Sequence, residues 1–328
     1  MANKKNYKNC CLCDSNRTRF VDHYKYNINY DEKYLGPMNI LLCDDCKLFF
    51  CHPMPSDEML ENYYSNIYRS KGRILYESDK ESSLINLALK KRVNSHINYL
   101  STFINLYNVE NILDFGSGSG DFGFVLKNHI KNVNLYAVEQ DINSIKILNE
   151  RGYNLIEGLE NTKVKFDVIL CLHSLEHLNN LNLVSKLVNL LSDRGVIYFE
   201  VPNCEFNEVF LNRPYDSPHL LFFNKINLSN MAKIFNLEVI NISTTAHDLE
   251  IVFKNQFNSH MIYKDWQPNK KIKEKNIIRK IFKKMIPKYI LDIYSFYNLV
   301  KEYNNTSNFI YNKDNQWLIR GIFKKKRI

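Results

Sequence analysis

Residues 112–123 read ILDFGSGSGDFG, and this stretch decides the architecture. The run VENILDF (109–115) is apolar and compact, as a buried strand requires, and the residues after the glycines open a helix over 121–131. Four of the chain's ten glycines stand between Gly116 and Gly123, so a scarce residue is concentrated at one strand-to-helix turn. Outward from it the alternation continues: strand NLYAVE (134–139), a helix over 142–151, YNLIEG, strand FDVILCL (166–172), a helix over about 179–191, and strand GVIYFEV (195–201). Short β-branched runs alternating with helices predict βαβ units: an α/β fold with a parallel sheet and helices on both faces. Leu84, Leu87, Ala88, Ile97, Leu100, Ile104 and Leu106 recur at helical spacing, which adds a helical lead-in over 82–107.

Glycines at 116, 118 and 120 let the backbone approach a ligand closely, and the helix N-terminus offers it free amides. Gly118-x-Gly120-x-x-Gly123 satisfies the dinucleotide fingerprint, with Glu139 ending the next strand as a ribose-binding acid should. The first glycine of that frame falls late, however, and Asp114 stands two residues before Gly116. An acid there, followed by G-x-G-x-G, resembles the S-adenosylmethionine (SAM) motif of class I methyltransferases, whose sheet is Rossmann-like. The resemblance puts Asp114, Gly116, Ser117, Gly118 and Gly120 around the methionine moiety, and Glu139, with Gln140 beside it, on the ribose. FDVILCLHSLEHL (166–178) resembles the fourth strand and following loop of a large methyltransferase subgroup, and GVIYFEVPN (195–203) its fifth strand with a Pro-Asn end. Where that subgroup has Gly-Asp after the third strand, this chain has Gly158-Leu159, so adenine contact is expected from backbone at Leu159 or from Glu160. An NAD-dependent oxidoreductase or epimerase is disfavoured: no Tyr-x-x-x-Lys pair stands where such enzymes need it.

Six of the eight cysteines lie in the first 70 residues, as Cys10-x-x-Cys13 and Cys43-x-x-Cys46 with Cys11 and Cys51 to spare. Two such knuckles predict a tetrahedral zinc site. The 29 residues between them exceed the usual ribbon, so the loop is expected to carry its own hairpin. Buried free thiols are the plainer reading, but this zone has too few apolar residues for a core of its own, and a metal supplies what is missing. Four cysteines leave no open position, so the zinc is structural. In PSDEMLENYYSNIYR, Ser56 or Asp57 caps a short helix bearing Leu60 and Tyr64 on one face. The run LCDDCKLFFCHPMPSDEMLENYY resembles the N-terminal zinc module of methyltransferases that modify deoxysugars and surface polysaccharides, with Lys47 where a glycine usually follows the last cysteine. The two resemblances together span about residues 8–245. The expected divisions are a zinc module (1–70), a SAM-binding core (71–255) and a basic helical extension with a final strand (256–328).

Methyl transfer from a sulfonium needs alignment and removal of the acceptor's proton. His173, Glu176 and His177 follow the fourth strand, at the sheet edge where such folds place their sites. RPYDSPHLLFF (213–223) adds Tyr215, Asp216 and His219 after the fifth. His219 is expected as general base and His173 as a substrate or cofactor contact, with Glu176 and Tyr215 as further catalytic candidates. A lone histidine is more often structural, and His177, followed by Leu178, suits a packing role equally well.

The formal net charge of +9 fits an anionic small molecule such as a nucleotide sugar, although a Lys-rich solvated face is the plainer account. An RNA methyltransferase with a zinc ribbon is the alternative enzyme. CLHSLEH is not the Asn-Pro-Pro-Tyr type that grips base amines, so nucleic acid is not the expected partner. A non-catalytic interaction protein is a third reading, which the intact SAM loop disfavours. The basic, aromatic stretch over about 273–303 is helical apart from Pro287; it suits a cap over the substrate pocket, or peripheral contact with an anionic membrane. The N-terminus has no apolar leader and no stretch suits a transmembrane helix, so a cytoplasmic location is expected. Oligomeric state is left open. The acceptor suggested by the resemblance is a nucleotide-linked sugar or related glycan precursor.

Overall fold

The computed structural model describes residues 9–26, 29–68, 83–130, 132–204, 218–245 and 318–326. Its N-terminal part is built from β1 (Thr18–His23), α1 (Asn29–Leu35), β2 (Asn39–Cys43), β3 (Phe49–His52) and α2 (Asp57–Asn62). The spacer between the cysteine pairs was expected to hold a hairpin; it holds strand, helix and strand, with β1 and β2 antiparallel across α1. Ser56 caps α2, its hydroxyl accepting from the Met59 amide at 3.2 Å. The chain then widens into a π-helical turn over Tyr63–Ile67. Tyr63 is the fully buried ring, and the partly buried Tyr64 packs against the same apolar cluster as Leu60.

The second part begins with α3 (Ser83–Ser101) and continues through β4 (Asn111–Phe115), α4 (Asp121–Leu126), β5 (Asn134–Val138), α5 (Ile142–Glu150), β6 (Asn154–Leu155), β7 (Phe166–Leu172), α6 (Asn182–Leu190) and β8 (Leu191–Pro202). After these come β9 (Leu221–Phe222), α7 (Lys225–Ile234), β10 (Leu237–Thr245) and β11 (Leu318–Lys325). The lead-in helix ends at Ser101, short of 107: Asn105 turns its side chain onto the Tyr107 amide and starts a separate short turn. Helix α4 ends at Leu126, short of 131, because its last amides reach back three residues (Asn128 to Val125, His129 to Leu126) and tighten the turn.

The larger sheet has the order β10-β11-β8-β7-β4-β5-β6. Strands β4 to β8 are parallel, while β11 runs antiparallel between β8 and β10. Its central strands are buried on both faces. Leu113, Ile169, Ile197 and Phe199 enter one apolar cluster; Ile112, Val168, Leu170 and Tyr198 enter the other. The first cluster also contains Ile40, Leu41, Phe49 and Phe50, so the N-terminal part and the large sheet share one core.

The smaller sheet has the order β1-β2-β3-β9. Its fourth strand comes from beyond β8, through the pairs Phe49–Phe222 and Phe50–Leu221. The Asn227 side chain of α7 donates to the Cys46 carbonyl at 2.5 Å, a second tie between the cysteine knuckle and the later chain. No described helix is long and apolar enough to cross a membrane. The basic stretch 273–303, and with it the expected cap or membrane contact, lies outside the described residues, as do Tyr215 and Asp216.

Candidate active site

The glycine loop leaves β4 and turns into α4 with Gly116, Gly118 and Gly120 at φ of 70°, 55° and 71°, the left-handed region that L side chains avoid. At Gly120 a Cβ would fall 2.5 Å from Leu148 and 2.7 Å from the Tyr153 ring; at Gly116 it would fall 2.8 Å from Ser174. The loop is therefore pressed against both α5 and the turn after β7. Glu139 folds over it. Its Oε2 accepts from the Gly118 amide at 2.6 Å, and its Oε1 from the Gln140 and Asp141 amides at 2.8 and 3.0 Å.

Asp114 is buried at the end of β4, where burial first, then the Glu139 and Asp121 charges, push its carboxyl up to about 7. Ser117 Oγ is buried with no hydrogen-bond partner among the described residues. A buried acid, an orphaned hydroxyl and a strained glycine turn beside a carboxylate fit the methionyl and ribose ends of SAM. Leu159 is buried in a turn after β6, whereas Glu160 is exposed and pairs with Lys186, so the adenine-side expectation rests on Leu159.

Beyond β7 the chain makes a turn at Leu175–His177, preceded by His173 at φ 56°. Two buried carboxylates flank the His173 ring: Glu200 Oε1 is 3.0 Å from Nε2, and Glu176 Oε1 is 3.4 Å from Nδ1. Burial and Arg92 oppose charge on this imidazole, but the two carboxylates prevail and raise its pKa. Burial likewise opposes charge on Glu176, yet His173, His177 and His219 hold its carboxyl at about 2. His177 is driven down to about 4, chiefly by burial, and its Nδ1 lies 3.0 Å from the Pro218 carbonyl. The His177 and His219 rings meet edge-on, with centroids 4.9 Å apart.

The segment bearing His219 is anchored on both sides. The Leu220 amide donates to the Glu176 carbonyl at 2.7 Å, and the Cys51 amide of β3 donates to the Leu220 carbonyl at 2.9 Å. The structure thus brings His173, Glu176 and His219 together, within reach of the turn that packs on the glycine loop.

The sequence reading missed the group behind His173. Glu200 on β8 is fully buried opposite its cross-strand neighbour Arg320 on β11, whose Nε donates to Oε2 at 2.6 Å. His96 and Arg92 of α3 approach the same carboxylate at 3.5 and 3.7 Å. Burial disfavours the Glu200 charge, but His96 and Arg320 keep its pKa well below the usual range. The available signal was a lone charge inside each of two apolar strands, GVIYFEV and WLIRGIF.

The cysteines converge as expected. One sulfur from each of Cys10, Cys13, Cys43 and Cys46 lies within 4.8 Å of the other three; Cys10–Cys46 measure 3.5 Å and Cys13–Cys43 3.6 Å. Tetrahedral zinc with Zn–S bonds of about 2.3 Å separates its sulfurs by about 3.8 Å, so the set fits the ion. The knuckles match each other: the Asp14 amide donates to the Cys10 carbonyl and that of Lys47 to the Cys43 carbonyl. Both donors sit at positive φ, 56° and 62°. Cys11 and Cys51 stand outside the four.

Residues 82–242, just under half of the chain, match the family model of the methyltransferase domain. No curated protein sequence matches the chain. Similar solved structures include magnesium protoporphyrin IX methyltransferase from Synechocystis PCC 6803, at 13% identity over 59% of this chain and 94% of that one, TM-score 0.47. A SAM-dependent methyltransferase from Archaeoglobus fulgidus is 16% identical over 74% and 95%, TM-score 0.43. A plantazolicin methyltransferase is 15% identical over 76% and 87%, TM-score 0.43. With the family match lying over the strand that ends in Asp114, the glycine loop and Glu139, residues 82–242 are a methyltransferase domain, and the chain is a SAM-dependent methyltransferase.

Proposed function

We propose that this enzyme methylates a nucleotide-linked sugar or a related precursor of a surface polysaccharide. The observation that carries the reading is the four-cysteine knuckle pair joined through β3 and β9 to the His219 segment. It supports the reading because the module resembles those of sugar-modifying methyltransferases and the segment it pairs with carries the base proposed here, His219. The formal net charge of +9 suits a diphosphate-bearing acceptor.

Asp114, Ser117 and the backbone at Gly116, Gly118 and Gly120 hold the methionyl end of SAM, and Glu139 with Gln140 holds the ribose. Glu139 Oε1 already accepts two backbone amides and Oε2 one, which leaves a lone pair on Oε2 for a ribose hydroxyl. When bound, SAM supplies a methyl group already activated on sulfur. His219 takes the proton that the acceptor loses, Glu176 supports the charge that His219 gains, and His173 orients the acceptor or the cofactor. Tyr215 is a further candidate from the neighbouring loop. Cys10, Cys13, Cys43 and Cys46 hold a structural Zn2+.

The test is methyl-labelled SAM with the purified enzyme and fractionated small molecules from the native cell. Label in the nucleotide-sugar fraction supports the reading, whereas label confined to RNA or to another fraction overturns it. His219→Ala should abolish turnover while leaving SAM affinity intact; normal turnover would remove His219 as base.

A further inference from the structure

We propose that Glu176, His177 and His219 form a second metal site, separate from the four cysteines, for a divalent transition-metal ion of the Zn2+ class, and that filling it withdraws His219 from the acceptor. The inhibitory half rests on the role given to His219 above; the site itself does not.

One donor atom from each of the three residues lies within 4.8 Å of the other two. Two imidazoles and one carboxylate are a donor set of Zn2+ and Fe2+ sites, and three protein ligands leave a position open. The carboxylate needs a partner. Glu176 is 1% exposed, and neither oxygen has a hydrogen-bond partner among the described residues. His173 Nδ1, 3.4 Å from Oε1, provides charge without hydrogen-bond geometry. A buried acceptor left unsatisfied is costly, and a cation between Glu176 and the two rings would relieve it.

The tautomer is suitable as well. Nδ1 of His177 faces the Pro218 carbonyl at 3.0 Å, so it carries the hydrogen and leaves the lone pair on Nε2. A backbone carbonyl behind a ligating histidine is a common support for a metal ligand. The ligands are also held in place. Glu176 and His177 share one short turn, and the Leu220 amide, next to His219, donates to the Glu176 carbonyl. His177 and His219 are half-buried, which leaves an approach for an ion.

A cation here occupies the lone pair that His219 would offer to the acceptor's proton. Metal and acceptor therefore compete. The site is unlike the cysteine cluster in donor type, and this makes it separable by spectroscopy.

Co2+ is titrated into the full-length protein with its cysteine cluster filled by zinc. The expected result is weak d–d absorption saturating at one added equivalent, without the intense charge-transfer band of cobalt bound to thiolate. His177→Ala and Glu176→Gln should each weaken that binding by more than about tenfold, with unchanged SAM affinity as the control for folding. In the label-transfer assay, Zn2+ should inhibit the wild type, and the Zn2+ concentration for half-inhibition should rise by more than about tenfold in His177→Ala, measured against that variant's own turnover without metal. Absence of the d–d bands, or cobalt binding unchanged in both variants, overturns the site. Bands that vanish in the variants while Zn2+ leaves wild-type turnover untouched overturn the inhibition alone. Normal turnover by His219→Ala would instead remove the base assignment and leave the metal site standing.

Discussion

Asp114 keeps its proton below about pH 7 in the ligand-free enzyme, because burial and two nearby carboxylates push it up to about 7. The folded state therefore holds a proton that the unfolded chain, with an ordinary value of 3.8, has released. Stability conferred by this residue falls as pH rises between those two values. Asp114→Asn should stabilise the ligand-free enzyme at pH 8, by at most about 4 kcal/mol, and should weaken SAM binding. Urea unfolding at pH 4 and pH 8 checks the first; a gain that does not grow with pH refutes it. At Lys47 the left-handed backbone is one that glycine takes without steric cost. Lys47→Gly should stabilise the zinc-loaded protein by about 1 kcal/mol, seen as a raised Tm. These two residues were legible for different reasons. Asp114 stood out by its place before a glycine run, and Lys47 by departing from the pattern of a resembling module. Glu200 and Arg320 were not legible as a pair, since 119 residues and an undetermined register lie between them.

Among the elements, the central strands of the large sheet were readable because β4, β5 and β7 are short, largely apolar runs, whereas β6 is two exposed residues and β8 starts directly after α6 and carries the polar Ser192-Asp193-Arg194 near its start. FDVILCL is β7 without adjustment. The opposite case is β9, two residues long, whose only local signal is the apolar LLFF of its segment. Pairing with β3 makes it a strand, and pairing partners are not written in local sequence. The same applies to His219, whose importance rests on what its neighbour Leu220 bonds to. Strand β11 carries an energetic consequence. Arg320→Met leaves Glu200 buried without its nearest cation and should cost about 3–5 kcal/mol, measured by urea unfolding. Adding Glu200→Gln should restore much of that loss; a double variant as unstable as the single one would show that the pair is not what matters.

At the level of the whole molecule, one apolar cluster joins the N-terminal sheet to the large sheet. Unfolding should therefore be a single calorimetric transition, despite the three zones read from sequence. Stripping the metal with a chelator should lower that transition by several degrees and reduce turnover, because β3, next to the cysteine knuckle, supports the His219 segment. Two separate transitions, with activity retained after chelation, would show that the parts are independent. Sequence divided the chain into a zinc module, a core and an extension, and did not show that they share a core, because the contacts that unite them lie far apart along the chain.

A strand borrowed across that divide also bears on inheritance. The first sixty-odd residues cannot be gained, lost or exchanged as a cassette, since removing them strips β9 of its partner and uncovers Phe222 and Phe223. Substitutions at Phe49 and Phe50 should be tolerated only with matching changes at Leu221 and Phe222, so lineages of this enzyme should show the two segments drifting together.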